Sequence, residues 1–172
     1  MRSGTHQNWQ IRNIAPRDRA IFSASGHSSL ASPERRLTGK QRPVRILLAE
    51  DNPADVFLFR LALTDYPVPT ELTVLENGAA VLELLRDHDF DIVVLDLNLP
   101  GVGGEEVLWK LTASSGGDRS AVPVVVFSSV RVQASDAPGA AACVVKPEGL
   151  DDYLKAVRGI CDTWLLPMAE RR

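Results

Sequence analysis

Five short apolar runs recur along the chain, and polar or turn-forming residues bound each of them. Short runs rich in Val, Ile and Leu are typical of strands that are buried on both faces of a sheet. We therefore predict five strands, at Val44–Ala49, Glu71–Leu75, the run that ends at Leu95, Val122–Phe127 and Ala141–Val145.

Apolar residues at intervals of three and four predict helices between these strands. The first helix is expected to begin at Asn52-Pro53, because Asn suits the N-cap and Pro suits the first helical position. It is expected to run to about Thr64. Its residues at helical spacing are Phe57, Leu58 and Leu61.

Similar signals place three further helices. Asn77 is predicted to cap the second, and Gly103-Gly104 leads into the third, which a polar loop over Ser114–Asp118 follows. The last helix begins near Gly149, and we expect Pro167 to end it because proline breaks helices. Its predicted apolar stripe is Leu150, Tyr153, Leu154, Val157, Cys161 and Trp164.

Strands that alternate with helices indicate a parallel sheet covered on both faces. With 172 residues, the chain is long enough for one core and short for two. We predict one α/β domain over residues 43–166, preceded by a disordered basic extension over residues 1–42. Residues 167–172 are expected to form a C-terminal tail.

Composition narrows the cellular setting. No apolar run approaches the roughly 20 residues of a membrane helix, and the N-terminus lacks the apolar segment of a secretory signal. Cys143 and Cys161 have no neighbouring His or third Cys with which to form a metal site. We therefore expect reduced thiols and a cytoplasmic protein that has no contact with a membrane.

Charge is distributed unevenly along the chain. Residues 1–43 carry eight Lys or Arg and two Asp or Glu, whereas residues 44–172 carry eleven and twenty. The basic segment could bind nucleic acid or an acidic partner, or it could be an organelle transit peptide. Its charges are scattered and not clustered as a nucleic-acid patch requires, so we favour a solvated extension.

Four of the predicted strands end in polar residues, namely Glu50-Asp51, Asp96, Ser128 and Lys146. The carboxyl ends of parallel strands lie at one edge of a sheet, which is where ligands bind in open α/β folds. Each residue has a simpler explanation by itself: the acids could cap helices, Ser128 could lie in a turn, and Lys146 could be a surface lysine. Their joint occurrence at strand ends favours a shared site.

The chemistry of such a site can be stated from its groups. Three carboxylates repel one another, and a divalent cation relieves this repulsion; an all-oxygen set with few protein ligands suits Mg²⁺. A lysine ammonium and a serine hydroxyl can hold phosphoryl oxygens, and an Asp carboxylate can act as a nucleophile that forms an acyl phosphate. The pattern therefore predicts phosphoryl transfer to Asp96.

The sequence resembles the receiver domain of two-component response regulators from about Pro43 to Leu166. The resemblance rests on Ile46–Asn52, Val93–Pro100 with Gly104, Val124–Ser128 and Val144–Pro147. Ala54-Asp55-Val56 and the late Trp164 resemble, within this family, the single-domain regulators paired with phytochrome-type histidine kinases.

The resemblance implies a flavodoxin-like (CheY-like), doubly wound fold with strand order 2-1-3-4-5. It implies that Asp96 accepts a phosphoryl group from a sensor histidine kinase or a histidine phosphotransfer protein. Mg²⁺ would be held by Glu50, Asp51, Asp96 and the Asn98 carbonyl, Ser128 would be the switch hydroxyl, and Lys146 would pair with a phosphoryl oxygen. The bond between Lys146 and Pro147 would be cis.

Two positions depart from the family pattern. Cys143 stands where the family usually has an aromatic residue or His, three residues before the lysine. Ser128 and Lys146 are eighteen positions apart, which is shorter than the family usually has by about one helical turn. Pro138-Gly139 lies in this interval, so the fourth helix is predicted to be short or missing.

These observations support a stand-alone receiver that is a phosphoacceptor and not a turnover enzyme, although it would assist its own phosphorylation and dephosphorylation. Its output would be contact with a downstream protein, a homodimer or onward phosphorelay. The alternatives are a phosphorylation-independent interaction module and a haloacid dehalogenase-type phosphatase. The phosphatase needs a second Asp as general acid where this chain has Asn98.

Overall fold

The computed structural model describes residues 42–114, 122–132 and 137–171. Within these ranges, five strands form one parallel sheet in the order β2-β1-β3-β4-β5, as predicted. The strands are β1 (Val44–Ala49), β2 (Thr70–Leu75), β3 (Ile92–Leu95), β4 (Val124–Ser128) and β5 (Ala142–Val145). The helices are α1 (Pro53–Leu63), α2 (Gly78–Asp87), α3 (Gly104–Ser114) and α4 (Leu150–Glu170).

Alternating side chains of the central strands enter two separate cores. In β3, Ile92 and Val94 face the core beneath α1 and α4, whereas Val93 and Leu95 face the core beneath α2 and α3. All four are fully buried because helices cover both faces of the sheet. This double burial explains why the strands read as uninterrupted apolar runs.

The predicted helix starts are confirmed. The side chain of Asn52 accepts a hydrogen bond from the N–H of Ala54, and the side chain of Asn77 accepts one from the N–H of Ala80. Pro53 occupies the first turn of α1, where no backbone donor is lost. These caps fix where α1 and α2 leave the carboxyl ends of β1 and β2.

Helix α1 is confirmed, but not all of the apolar residues at helical spacing in it are buried. Phe59 and Ala62 are the buried residues of this helix, whereas Phe57 is 63% exposed and Leu61 is 40% exposed. Almost every position of α1 is apolar between Val56 and Leu63, so periodicity alone could not select the buried side.

The predicted end of the last helix is wrong. Helix α4 continues through Pro167 to Glu170. A proline inside a helix removes one backbone hydrogen bond and costs about 3 kcal/mol. Burial of Leu165 before it and Ala169 after it in the core beneath α1 and α4 offsets this loss. Residues 167–170, which were predicted to begin a C-terminal tail, therefore belong to the helix.

The connection between β4 and β5 has no helix in its described residues, 129–132 and 137–141, which is compatible with the prediction of a short or missing fourth helix. Ala137 is buried against α3, and Gly139 adopts a positive φ of 91°. This part of the connection thus covers the sheet as irregular chain.

Two other predictions concern residues that the structure does not describe. The extension is described only at Arg42, whose guanidinium lies 3.1 Å from the Asp91 carboxylate. The predicted polar loop lies outside the described residues from position 115 onward, and Ser114 is the last residue of α3. None of the helices in the described ranges combines the length and the apolar character needed to cross a membrane.

Candidate functional site

Strand register brings the acidic residues together. Ala49 of β1 lies opposite Leu95 of β3, so Glu50 and Asp96 both follow directly at the same edge of the sheet. The N–H of Asp96 donates to the carbonyl of Ala49 at 2.9 Å and holds the two chain ends side by side.

The same register logic places the hydroxyl and the amine. Ser128 of β4 lies opposite Val145 of β5, and Lys146 is the next residue. The N–H of Lys146 donates to the Ser128 carbonyl at 2.8 Å. All four polar strand ends therefore meet at the carboxyl edge, as the sequence predicted.

Lys146 lies at the centre of the site. Its Nζ is 2.6 Å from Asp96 Oδ2, 2.5 Å from Glu50 Oε2 and 2.9 Å from Asp55 Oδ2. A lysine ammonium has three N–H donors, and these three carboxylates engage all of them. The Lys146 side chain is only 6% exposed, so the ion pairs are shielded from solvent.

Burial and pairing act in opposite directions on the charged groups. Burial lowers the pKa of Lys146, but the hydrogen bonds to Asp96, Glu50 and Asp55 outweigh it and raise that pKa above its usual range. Burial raises the pKa of Glu50, and its contacts with Lys146 compensate only in part. The lysine is thus held as a cation among carboxylates that are costly to bury without it.

Three acidic side chains form a cluster that could hold a metal ion. One carboxylate oxygen from each of Glu50, Asp51 and Asp96 lies within 4.8 Å of the other two. Glu50 and Asp96 are buried, whereas Asp51 is exposed. A few carboxylate oxygens, one of them on an exposed residue, match the preference of Mg²⁺ for a few protein oxygens together with retained water.

Asn98 connects the acidic residues to the serine side of the site. Its backbone N–H donates to Asp96 Oδ1 at 3.1 Å. Its side-chain Nδ2 lies 3.5 Å from Ser128 Oγ and 3.3 Å from Ser129 Oγ. Both oxygens of the Asp96 carboxylate are therefore oriented, one by Asn98 and the other by Lys146.

Close backbone packing supports the loop that carries Asp96. The N–H of Gly104 at the start of α3 donates to the Leu97 carbonyl at 3.1 Å. A Cβ atom on Gly104 would lie 2.2 Å from the carbonyl oxygen of Asp96. Only glycine allows α3 to begin this close to the loop.

Two residues of the site were not assigned to it from the sequence. Asp55 lies in the first turn of α1 and contacts Lys146, and the Tyr153 hydroxyl donates to the Asp55 carbonyl oxygen at 3.2 Å. Burial raises the pKa of Tyr153, so its hydroxyl remains a donor. An acid one turn after the Glu50-Asp51 pair was a usable signal for Asp55, whereas Tyr153 fitted the apolar stripe of α4.

One expected feature is not found. The bond between Lys146 and Pro147 is trans, since no peptide bond in the described residues is cis. The trans form is the more stable one for most X-Pro bonds, by about 0.5–1 kcal/mol.

Cys143 lies on β5, half-buried, among the apolar residues beneath α2 and α3.

A family model described as the response regulator receiver domain matches residues 46–158. This match includes every residue of the site described above. It also decides against the haloacid dehalogenase interpretation, which Asn98 already disfavoured.

The chain is similar to two curated bacterial proteins. It is 32% identical to response regulator Rcp1 of Synechocystis sp. over 134 residues, which cover 72% of this chain and 90% of Rcp1. It is 38% identical to the transcriptional regulatory protein KdpE of Mycobacterium tuberculosis over 122 residues, 66% of this chain. The match spans only 49% of KdpE, about half its length.

Solved structures show the same fold. The Mn²⁺-bound form of Rcp1 aligns with a TM-score of 0.64 at 30% identity and covers 72% of this chain and 95% of that one. The phosphorylated cyanobacterial phytochrome response regulator RcpA aligns with a TM-score of 0.63 at 30% identity and the same coverage.

Proposed function

The chain belongs to the response regulator receiver family of two-component signalling, and from that premise we propose that Asp96 accepts a phosphoryl group from a sensor histidine kinase or a histidine phosphotransfer protein. Receiver domains accept phosphoryl groups from histidine kinases and are generally not turnover enzymes. Here the acceptor would also promote its own phosphorylation and dephosphorylation through the residues around it.

The observation that carries this proposal is the convergence of Lys146 and Asp96. Their Nζ and Oδ2 atoms are 2.6 Å apart at the carboxyl edge of the sheet. An Asp96 oxygen can attack phosphorus, while the Lys146 ammonium neutralises charge on the phosphoryl oxygens. Ser128, linked to the site through Asn98, can then donate its hydroxyl to another phosphoryl oxygen.

The donor set fits a divalent cation. Glu50, Asp51 and Asp96 supply carboxylate oxygens within one small volume, and the Asn98 carbonyl is the further ligand that we propose. Mg²⁺ is the ion that such a set prefers, and when bound it would neutralise charge between the carboxylates and the phosphoryl oxygens. The Mn²⁺-bound structure of Rcp1 supports this assignment.

The domain organisation, the output and the cellular location are proposed with the help of the relatives. The match to 90% of Rcp1 supports a stand-alone receiver. Its signal would pass on by contact with a downstream protein, as a homodimer or by phosphorelay, in the cytoplasm. Direct binding to nucleic acid through the basic residues 1–42 is not part of this proposal.

An interaction module that works without phosphorylation is the second candidate. The observation that favours it is the altered β4–β5 region, where Cys143 replaces the usual aromatic residue and the described residues contain no helix. Changes there could separate partner binding from the state of Asp96.

Phosphorylation can be tested with acetyl phosphate and Mg²⁺ on the full chain, followed by intact mass spectrometry. We expect wild type to gain the mass of one phosphoryl group and Asp96→Asn to gain none. An exposed control, Asp87→Asn, should behave as wild type does. No gain by wild type, or an equal gain by Asp96→Asn, would refute the proposal; partner binding that is unchanged by phosphorylation would favour the second candidate.

A further inference from the structure

Lys146 has one carboxylate partner that is not part of the candidate metal cluster. Glu50 and Asp96 contact its Nζ and also belong to the group of acids that could hold a cation. Asp55 contacts the same Nζ at 2.9 Å but is outside that group. The three ion pairs of Lys146 are therefore not equivalent.

The Asp55 carboxylate is attached to a well-fixed part of the backbone. It lies in the first turn of α1, where the Asn52 side chain caps the helix and a negative charge is stabilised by the helix dipole. The buried Tyr153 donates to the Asp55 carbonyl and packs edge-on against Phe127, with ring centroids 5.2 Å apart. The Asp55 side chain is 20% exposed, so it lies at the rim of the site.

Cation binding and phosphorylation would engage oxygens of two of the three present partners of Lys146, while a phosphoryl oxygen becomes a new partner for its ammonium. A cation draws on the oxygens of Glu50 and Asp96, and a phosphoryl group occupies one oxygen of Asp96. A lysine side chain whose ion pairs weaken regains rotamer freedom and can leave its position beside Asp96. Asp55 is the carboxylate that can hold the ammonium in place throughout.

We propose that Asp55 is a positioning residue. It retains Lys146 Nζ beside Asp96 while Glu50 and Asp96 bind a cation and Asp96 accepts a phosphoryl group. This inference rests on the proposed phosphorylation of Asp96. In that step an Asp96 oxygen bonds to phosphorus, and the bond from phosphorus to the donor breaks; in a phosphohistidine donor the atom that leaves with the electron pair is an imidazole nitrogen. With acetyl phosphate, acetate leaves with the electron pair, and no other reactant is needed.

The rate of acyl-phosphate formation tests this role. The variants are Asp55→Asn, which removes the charge at nearly constant size, and Asp55→Glu, which retains the carboxylate. We expect Asp55→Asn to lower the maximal rate about tenfold, as the loss of a charge-assisted hydrogen bond would. The acetyl phosphate concentration at half-maximal rate should change little, and Asp55→Glu should recover part of the rate.

Nuclear magnetic resonance gives a second measurement that does not depend on phosphorylation. A buried, hydrogen-bonded ammonium exchanges its protons slowly, so the Lys146 ζ-NH₃⁺ group should give an observable signal, assigned by its absence in Lys146→Arg. We expect this signal to persist in wild type when Mg²⁺ is added and to broaden or vanish in Asp55→Asn. Asp87→Asn, which removes one exposed negative charge on α2, is the matched control.

The outcomes separate this inference from the proposed function. If wild type is phosphorylated and Asp55→Asn is equally fast with its Lys146 signal intact, only the role of Asp55 is refuted. An equal loss of rate in Asp87→Asn would also refute it, because the rate would then depend on the net charge of the protein and not on the contact between Asp55 and Lys146. If wild type takes no phosphoryl group, the proposed function fails and this inference fails with it.

Discussion

The two faces of the sheet are covered in different ways. On one face, α1 packs against the 21-residue α4, and the buried residues of both helices form one continuous core with the strands. On the other face, α2 and α3 are followed by the irregular segment 137–141. The candidate site lies at the carboxyl edge between these faces and takes residues from four strand ends.

The two faces therefore differ in what they contribute: the face beneath α1 and α4 provides stability, and the face beneath α2 and α3 can vary in structure. The face beneath α1 and α4 depends on continuous helical burial, where each large apolar side chain contributes roughly 1.5–3 kcal/mol. The face beneath α2 and α3 depends at one place on a turn whose backbone conformation only glycine adopts readily. Since Glu50, Asp96 and Lys146 follow strands that both faces share, the second face can vary without moving them.

The largest effect is expected from Leu165→Ala on the α4 side. Leu165 is 1% exposed, and its truncation leaves a cavity in the core beneath α1 and α4. We expect the free energy of unfolding to fall by about 3 kcal/mol, measured by urea denaturation. Arg158→Ala, an exposed position on the same helix, should change it by less than about 0.5 kcal/mol. Equal losses in the two variants would contradict the importance of α4 burial.

A smaller and more local effect is expected from Gly139→Ala on the opposite side. At φ 91°, a Cβ would lie 1.9 Å from Cγ2 of Thr112 on α3. Backbone strain and this overlap should lower the free energy of unfolding by about 2 kcal/mol. Adding Thr112→Ser removes the methyl group at 1.9 Å but leaves the Thr112 Cβ at 2.8 Å, so it should restore only part of the lost free energy of unfolding.

The phosphorylation yield of Gly139→Ala shows whether this substitution affects only its own side of the sheet or also the candidate site. The acid cluster takes no residue from the 137–141 segment, so the yield of acyl phosphate from acetyl phosphate should match wild type. A large loss of yield with the fold intact would show that the second face does act on the site.

The effect that is smallest near neutral pH concerns Cys161 in the core beneath α1 and α4. Burial raises the pKa of its thiol from 9.0 to about 12. Above pH 9.0 the unfolded thiol loses its proton while the folded thiol keeps it, so stability falls as pH rises towards 12. Cys161→Ala should remove this part of the loss of stability at alkaline pH. The midpoint of urea denaturation should then decline less steeply as pH rises than it does in wild type. A decline as steep as in wild type would contradict the assignment.

Much of the fold was predictable because local signals and burial agreed. The β1 run matches the observed strand at both ends, and Asn52 and Asn77 cap the helices expected of them. The convergence at the carboxyl edge also followed from sequence, since parallel strands leave their ends on one side. These features depend on neighbours in the chain or on the simple geometry of a sheet.

Other features could not be predicted from the sequence, although the position of Asp55 one turn after Glu50-Asp51 was a signal for its place near the site. The exposed Phe57 of α1 and the passage of α4 through Pro167 depend on which side of each helix meets the core. The contact between Asp55 and Lys146 joins residues that are 91 positions apart. The spacing of residues within one element does not predict contacts between residues so far apart in the sequence.

By itself, the sequence determined the alternation of strands and helices, the caps, the parallel arrangement and the polar residues that end four strands, because each of these follows from neighbouring residues and backbone geometry. Only the tertiary structure decided which helix faces are buried, how the 137–141 segment covers the sheet and which three carboxylates share the Lys146 ammonium. Those outcomes result from competition for space and charge among residues far apart in the chain, and that competition is resolved only when the chain is folded.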